Sequence, residues 1–144
     1  YRLRLGKKLG ADITITAGGK SAVETVLHAT GRGADAIIIA ASSAAKVLDA
    51  ALDMVKPGGC ISVVGLSGGE AVPINSDKIV FKDVNIYGVF SSPNVWEEAI
   101  KLVSNGLIKV KPLITHVLPL AEFERAFRII SERKEEVVKV VLKP

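Results

Sequence analysis

Few residues of this chain have the types and spacing that chemistry needs. Gly18-Gly19-Lys20-Ser21 lies between a β-branched run and an apolar-periodic segment, as the end of a phosphate-cradling loop does. The full pattern also needs a glycine at position 14, where the chain has Thr14, so a helix start is the better account. Gly31-Arg32-Gly33 followed by Ala36 has dinucleotide-fingerprint spacing but precedes its strand, whereas the fingerprint must follow one and open a helix; it reads as a turn. Val63-Val64-Gly65-Leu66-Ser67-Gly68 is better placed, at the carboxyl end of a strand, where ligands bind in open α/β sheets. His28 and His116 have no Cys, Asp or Glu at a ligand spacing, and Cys60 opens an apolar strand. The two histidines and the cysteine read as structural, and Glu132-Arg133-Lys134-Glu135-Glu136 as a solvated turn. No serine triad, carboxylate pair or metal cage stands out, so no catalytic residue and no metal ligand is assigned.

The elements that must position these residues alternate. An amphipathic helix over Arg2 to Leu9 has no capping residue in front, as if the chain began partway through a larger element, and Gly10 supplies its C-terminal stop. Asp12 to Thr16 reads as a short strand, and Ser21 with Glu24 as a capping box opening a helix through Ala29. Asp35 to Ala41 is apolar without alternation, the pattern of a strand covered on both faces of a parallel sheet. Ser43 caps a helix whose Ala44, Val47, Leu48, Ala51, Leu52 and Val55 recur at the helical period, and Pro57-Gly58-Gly59 ends it. Cys60 to Gly65 is a further strand, a short segment covers Ser76 to Phe81, and Val84 to Phe90 is a strand again. Pro93 starts a helix through Val103, closed by Asn105-Gly106. Lys111 to Pro119 is extended, a helix spans about Ala121 to Arg133, and Val137 to Leu142 is a final strand. Strand and helix in this order give βαβ units and a doubly wound parallel sheet, with a change of texture after Gly106.

Composition narrows the classes. With 144 residues, 49% hydrophobic and 24% charged, the chain is one globular domain in size and is neither disordered nor collagen-like. The net charge of +4 is scattered and aromatics are 5%, so no nucleic-acid surface is expected. One cysteine excludes an internal disulfide framework. No apolar run reaches the roughly 18 residues a membrane span needs. A soluble, cytoplasmic protein without a membrane partner is expected.

Taken together, several phrases resemble the medium-chain dehydrogenase/reductases, the zinc alcohol dehydrogenase superfamily. They are Lys8-Leu9-Gly10-Ala11-Asp12, Thr30-Gly31-Arg32-Gly33-Ala34-Asp35 and Val55-Lys56-Pro57-Gly58-Gly59-Cys60-Ile61-Ser62-Val63-Val64-Gly65. Gly106-Leu107-Ile108-Lys109-Val110-Lys111-Pro112-Leu113-Ile114-Thr115-His116 continues the likeness, with Pro119-Leu120, Ala126-Phe127 and the ending Val138 to Pro144. The tail is most similar to the sorbitol and threonine dehydrogenase branch. The resemblance implies the C-terminal portion of an NAD(P)-dependent alcohol or polyol dehydrogenase more than twice this length. Its catalytic and structural zinc ligands, its Gly-rich turn and its ribose-binding acid would lie upstream.

That likeness implies an α/β fold: residues 1–88 as a partial NAD(P)-binding Rossmann domain lacking its first strands, and residues 89–144 as a helix and closing segment returning to a GroES-like catalytic domain. NAD or NADP is the implied cofactor, with zinc held by residues outside this chain. By position, Arg2 corresponds to a cation near the adenosine ribose, and Ala41 and Ser42 to strand-end residues beside the riboses. Val64, Gly65 and Leu66 correspond to the floor under the nicotinamide, and Asn85, Ile86 and Tyr87 to the segment meeting the carboxamide, with Phe90 nearby. Lys139 corresponds to a cation approaching the pyrophosphate. One departure is Ala40-Ala41-Ser42-Ser43, where the family often has Glu-Ala-x-Gly. The implied partners are a small alcohol or polyol and further copies in a homo-oligomer. In the family's sheet the two upstream strands sit between Asp12–Thr16 and Asp35–Ala41, so the two halves are expected not to be adjacent and buried strand edges to lack partners, leaving the chain poorly stable alone, unless the missing part is supplied in trans or the sheet rearranges, and catalytically inactive alone. The rival reading is a non-catalytic Rossmann-like dinucleotide-binding or assembly module.

Overall fold

A computed structural model describes residues 1–16, 20–41, 44–91, 94–132 and 136–144. Ser42, Ser43, Ser92, Pro93 and the stretches 17–19 and 133–135 lie outside the described residues, and with them the Gly18-Gly19 approach to Lys20, the Ser43 cap, the Pro93 helix start and the middle of the 132–136 turn. The chain forms two compact units, Ile15–Pro93 and Tyr1–Thr14 with Asn94–Pro144.

In the Ile15–Pro93 unit, α1 being the helix Arg2–Lys8 of the other unit, the order is α2 (Lys20–Thr30), β1 (Ala34–Ile39), α3 (Ala44–Met54), β2 (Val55–Val63), α4 (Asp77–Lys82) and β3 (Asn85–Gly88). The strands form one parallel sheet in the order β1-β2-β3, as alternating strands and helices require. Register pairs Ile38 with Ser62, and Ser62 with Tyr87. The α3 period places Ala51 and Leu52 against Ile39, Val55, Ile61 and Val84, all buried, with Ile37, Val47, Leu48, Val63, Ile79 and Ile86 packed around them. Leu52 is 0% exposed.

Four local expectations change. Asp12 to Thr16 takes no strand conformation: a strand is held by its ladder, and these residues pair with none. Ser21 is not a cap but lies within α2, where its carbonyl accepts from the Thr25 hydroxyl at 2.8 Å. The apolar run of β1 is covered on one face only. Ile37 and Ile39 face the core, and Ile38 between them is 71% exposed. Finally, β2 starts at Val55, directly after α3. Register slips there, from Ala34 opposite Val55 to Ala36 opposite Cys60. Gly33 fits against this irregular stretch with φ 104°, where a Cβ would come 2.7 Å from both Lys56 N and Met54 O.

The junction from α3 to β2 is secured from α4. Lys82 Nζ donates to the carbonyls of Leu52 (2.7 Å), Asp53 (3.1 Å) and Val55 (3.0 Å), satisfying oxygens left over at the helix end. Lys78, also on α4, pairs with Asp49 at 2.9 Å and Asp53 at 2.8 Å on α3. Their hydrogen bonds hold Asp49 below, and Lys78 above, the ordinary range of each group.

In the other unit, α1 is followed by Gly10 at φ 115°. Then come α5 (Trp96–Ser104), a 3-10 turn at Lys111–Leu113, β4 (Ile114–Pro119), a 3-10 turn at Leu120–Glu122, α6 (Phe123–Glu132) and β5 (Lys139–Lys143). Pro112 accounts for the turn that replaces the first part of the expected extended stretch. β4 and β5 pair in parallel, and Leu118, Ala126, Ile129 and Val137 close a small core with Val140 and Leu142. Arg4 pairs with Glu136, and Arg2 Nη2 donates to the Val137 carbonyl at 3.4 Å, tying α1 to the segment before β5.

Candidate functional site

In an open parallel sheet the carboxyl strand ends leave backbone groups and side chains facing solvent, and there the candidate residues gather. Ala41 follows β1, and Val64, Gly65 and Leu66 follow β2. The N–H groups of Val64 and Gly65 both donate to the Ile39 carbonyl at 3.0 Å, so β2 leans onto β1 as the two strands end. Gly65 makes this possible, since a Cβ there would fall on the Ala41 carbonyl. On the other side, the Val89 N–H donates to the Val63 carbonyl at 3.0 Å, continuing β3 past its last ladder residue. The result is a shelf of uncharged residues with exposed apolar side chains, Leu66 at 70% and Phe90 at 78%.

The other candidates lie elsewhere. Asn85, Ile86 and Tyr87 pair with Cys60, Ile61 and Ser62, so Asn85 is at the amino end of the ladder and Ile86 points into the core. Gly88, opposite Val63, and then Val89 and Phe90 occupy the carboxyl end of β3. Val89, which the sequence reading did not single out, also lies at this strand end, as the residue following the last ladder position of a parallel pair does. Arg2 and Lys139 belong to the other unit, Arg2 engaged with Val137 and Lys139 opening β5. Ser42 is outside the described residues.

An uncharged shelf with exposed apolar side chains suits a flat ring and the backbone-directed polar groups of a dinucleotide. Zinc is different. Among the described residues, no three or more His, Cys, Asp or Glu side chains lie together. The donor set that zinc needs is not furnished by them, and no step through a metal is derived.

A three-stranded parallel sheet with helices between its strands and an open carboxyl edge is the arrangement of a Rossmann-like open α/β sheet. The family model described as zinc-binding dehydrogenase matches residues 1–105, and the chain belongs to that family. It is 32% identical over 146 residues to L-threonine 3-dehydrogenase of Bacillus velezensis, covering 100% of this chain and 42% of that protein. It is 31% identical to sorbitol dehydrogenase of Bacillus subtilis, covering 99% of this chain and 40% of the relative. These matches agree with the likeness of its tail to the sorbitol and threonine dehydrogenases. Among solved structures, a protein described as a short chain alcohol dehydrogenase from E. coli CFT073, complexed with NADH, superposes with a TM-score of 0.89 at 26% identity. That match covers 99% of this chain and 42% of the other. Alcohol dehydrogenase from Thermus sp. ATN1 gives 0.87 at 30% identity, over 99% and 41%. The chain thus spans well under half the length of the proteins it matches, as their C-terminal portion.

Proposed function

We propose that this chain is the cofactor-holding C-terminal portion of an NAD(P)-dependent zinc-type alcohol or polyol dehydrogenase. The observation that carries the reading is the uncharged shelf at the strand ends, where Gly65 lets β2 close onto Ala41 and Leu66 and Phe90 stand exposed. When bound, the nicotinamide supplies the hydride acceptor or donor. The chain's own part would be to orient it, with Val64, Gly65 and Leu66 beneath the ring and Val89 and Phe90 beside it at the end of β3. By the family resemblance Ala41 and Ser42 are assigned to the riboses, and Arg2 and Lys139 to ribose and phosphate charges. In this reading residues 1–88 belong to the cofactor domain and 89–144 to the closing segment of the catalytic domain. The substrate is a small alcohol or polyol, and the protein works in the cytoplasm as a homo-oligomer.

NADH fluorescence titrated with the purified chain tests the reading. Saturable binding, weakened by Val64→Asp, is expected, and absence of binding up to millimolar NADH overturns it. The chain alone is expected not to oxidise threonine or sorbitol with NAD or NADP, and turnover by it would refute that part. The exposed Ile38 face of the sheet favours a second reading, an assembly module, which folding that depends on a partner without cofactor affinity would support.

A further inference from the structure

The end of α5 and the turn at Lys111–Leu113 bracket a cleft. α5 stops in a chain reversal. Gly106 takes φ 73°, its N–H donates to the Val103 carbonyl at 3.0 Å, and the Leu107 N–H reaches back to the Leu102 carbonyl at 3.0 Å. The 3-10 turn carrying Pro112 then bends the chain again, with the Leu113 N–H donating to the Val110 carbonyl at 3.0 Å. Between the two bends lies a volume of about 290 Å³ lined by Val103, Ile108, Val110 and Pro112, all within one compact unit.

Charge indicates what the cleft can take. Lys109 and Lys111, on either side of Val110 in the chain, complete the lining. Among the described residues no carboxylate lines the cleft or pairs with either lysine. A purely apolar guest would leave two ammonium groups without a counter-charge, and a bare anion would leave the apolar lining in water. A guest with an anionic head and an aliphatic tail answers both. The volume is at the low end of small-molecule sites, about 300–1,000 Å³, which limits the tail to one short chain.

We propose that this cleft binds single-chain aliphatic carboxylates of medium length, the tail among Val103, Ile108, Val110 and Pro112 and the carboxylate met by Lys109 and Lys111. It shares no residue with the strand-end shelf, so it stands or falls separately from cofactor binding there.

Spectra correlating 1H with 15N in the full chain, titrated with hexanoate and with octanoate below micelle formation, test this. Saturable shifts centred on residues 103–112 are expected, with octanoate about 15-fold tighter for its two further buried methylenes. Octylammonium, the same chain with the opposite charge, is expected to bind about tenfold more weakly than octanoate, and Lys109→Glu/Lys111→Glu to reverse that order. Absence of saturable shifts with octanoate, shifts scattered over the chain, or equal affinity for the two head groups overturns the proposal. Shifts of the same residues on raising protein concentration alone, with a dimer in sedimentation velocity, would assign the cleft to a second copy and overturn it too. If the double variant does not fold, the two head groups compared on the wild-type chain decide alone.

Discussion

Gly65→Ala puts the contact between β1 and β2 under a measurable load. The new Cβ falls on the Ala41 carbonyl, with the Ala41 carbonyl carbon at 2.9 Å and its nitrogen at 3.2 Å. Every obstructing atom is backbone, so no rotamer change relieves the clash and the two strand ends must separate. Overpacking of this kind costs about 1–3 kcal/mol. Separation also threatens the bond from the Gly65 N–H to the Ile39 carbonyl, worth about 0.5–1.5 kcal/mol. Together the loss is about 1.5–4.5 kcal/mol. Gly88 is the control, a strand-end glycine whose added Cβ would have nothing within 4 Å. Gly88→Ala should stay within about 0.5 kcal/mol of the parent. Urea unfolding followed by circular dichroism compares the two. A Gly65→Ala midpoint no lower than that of Gly88→Ala would mean that the strand ends do not touch as described.

Neighbouring residues on opposite faces of the sheet test its one-sided cover: Ile39→Ala should cost about 2–5 kcal/mol and Ile38→Ala under about 1 kcal/mol, read from the same unfolding curves. Equal losses would mean both faces are packed. Lys82→Met removes the donor to three carbonyls and should cost on the order of 2 kcal/mol, with retained stability ruling out the clip. Asp49 is held low chiefly by its hydrogen bond from Lys78, so its contribution is whole above the ordinary carboxylate value of 3.8 and is lost as pH falls through the lower folded value. Lys78, held high by Asp53 and then Asp49, contributes fully below 10.5 and loses this as pH rises through its higher folded value. Lys78→Met should therefore flatten both ends of the stability–pH curve, modestly, because the network is partly solvated. An unchanged curve would remove the network from the account.

What sequence alone disclosed follows from the range of the forces. The α3 period and the apolar runs of β1 and β2 are local, and the structure contains all three. The fate of Asp12 to Thr16 depends on ladder partners elsewhere, so β-branched composition could not decide it. Ser21 fits the capping-box spacing, yet the helix gains a turn position at Lys20 and takes the serine inside. At the candidate site, the strand-end position of Val64 to Leu66 was legible because a glycine closes an apolar run. The place of Asn85 relative to Val89 was not, because register against β2 fixes it and register is not written in either strand. Thr115 on β4 donates its hydroxyl to the Lys139 carbonyl and accepts from the Val138 N–H, and nothing near Thr115 in the chain signals these long-range bonds.

The Lys82 clip bears on the order in which the chain can fold. α3 passes into β2 without a connecting residue, and its last carbonyls wait for a donor 27 to 30 positions further along the chain. During synthesis, α3 and the start of β2 emerge with that end uncapped and prone to fray. Only when α4 arrives and docks does the junction become fixed. The closure of this loop is thus a late, non-local event, and α4, a helix of 6 residues that would not persist alone, gates the completion of the unit.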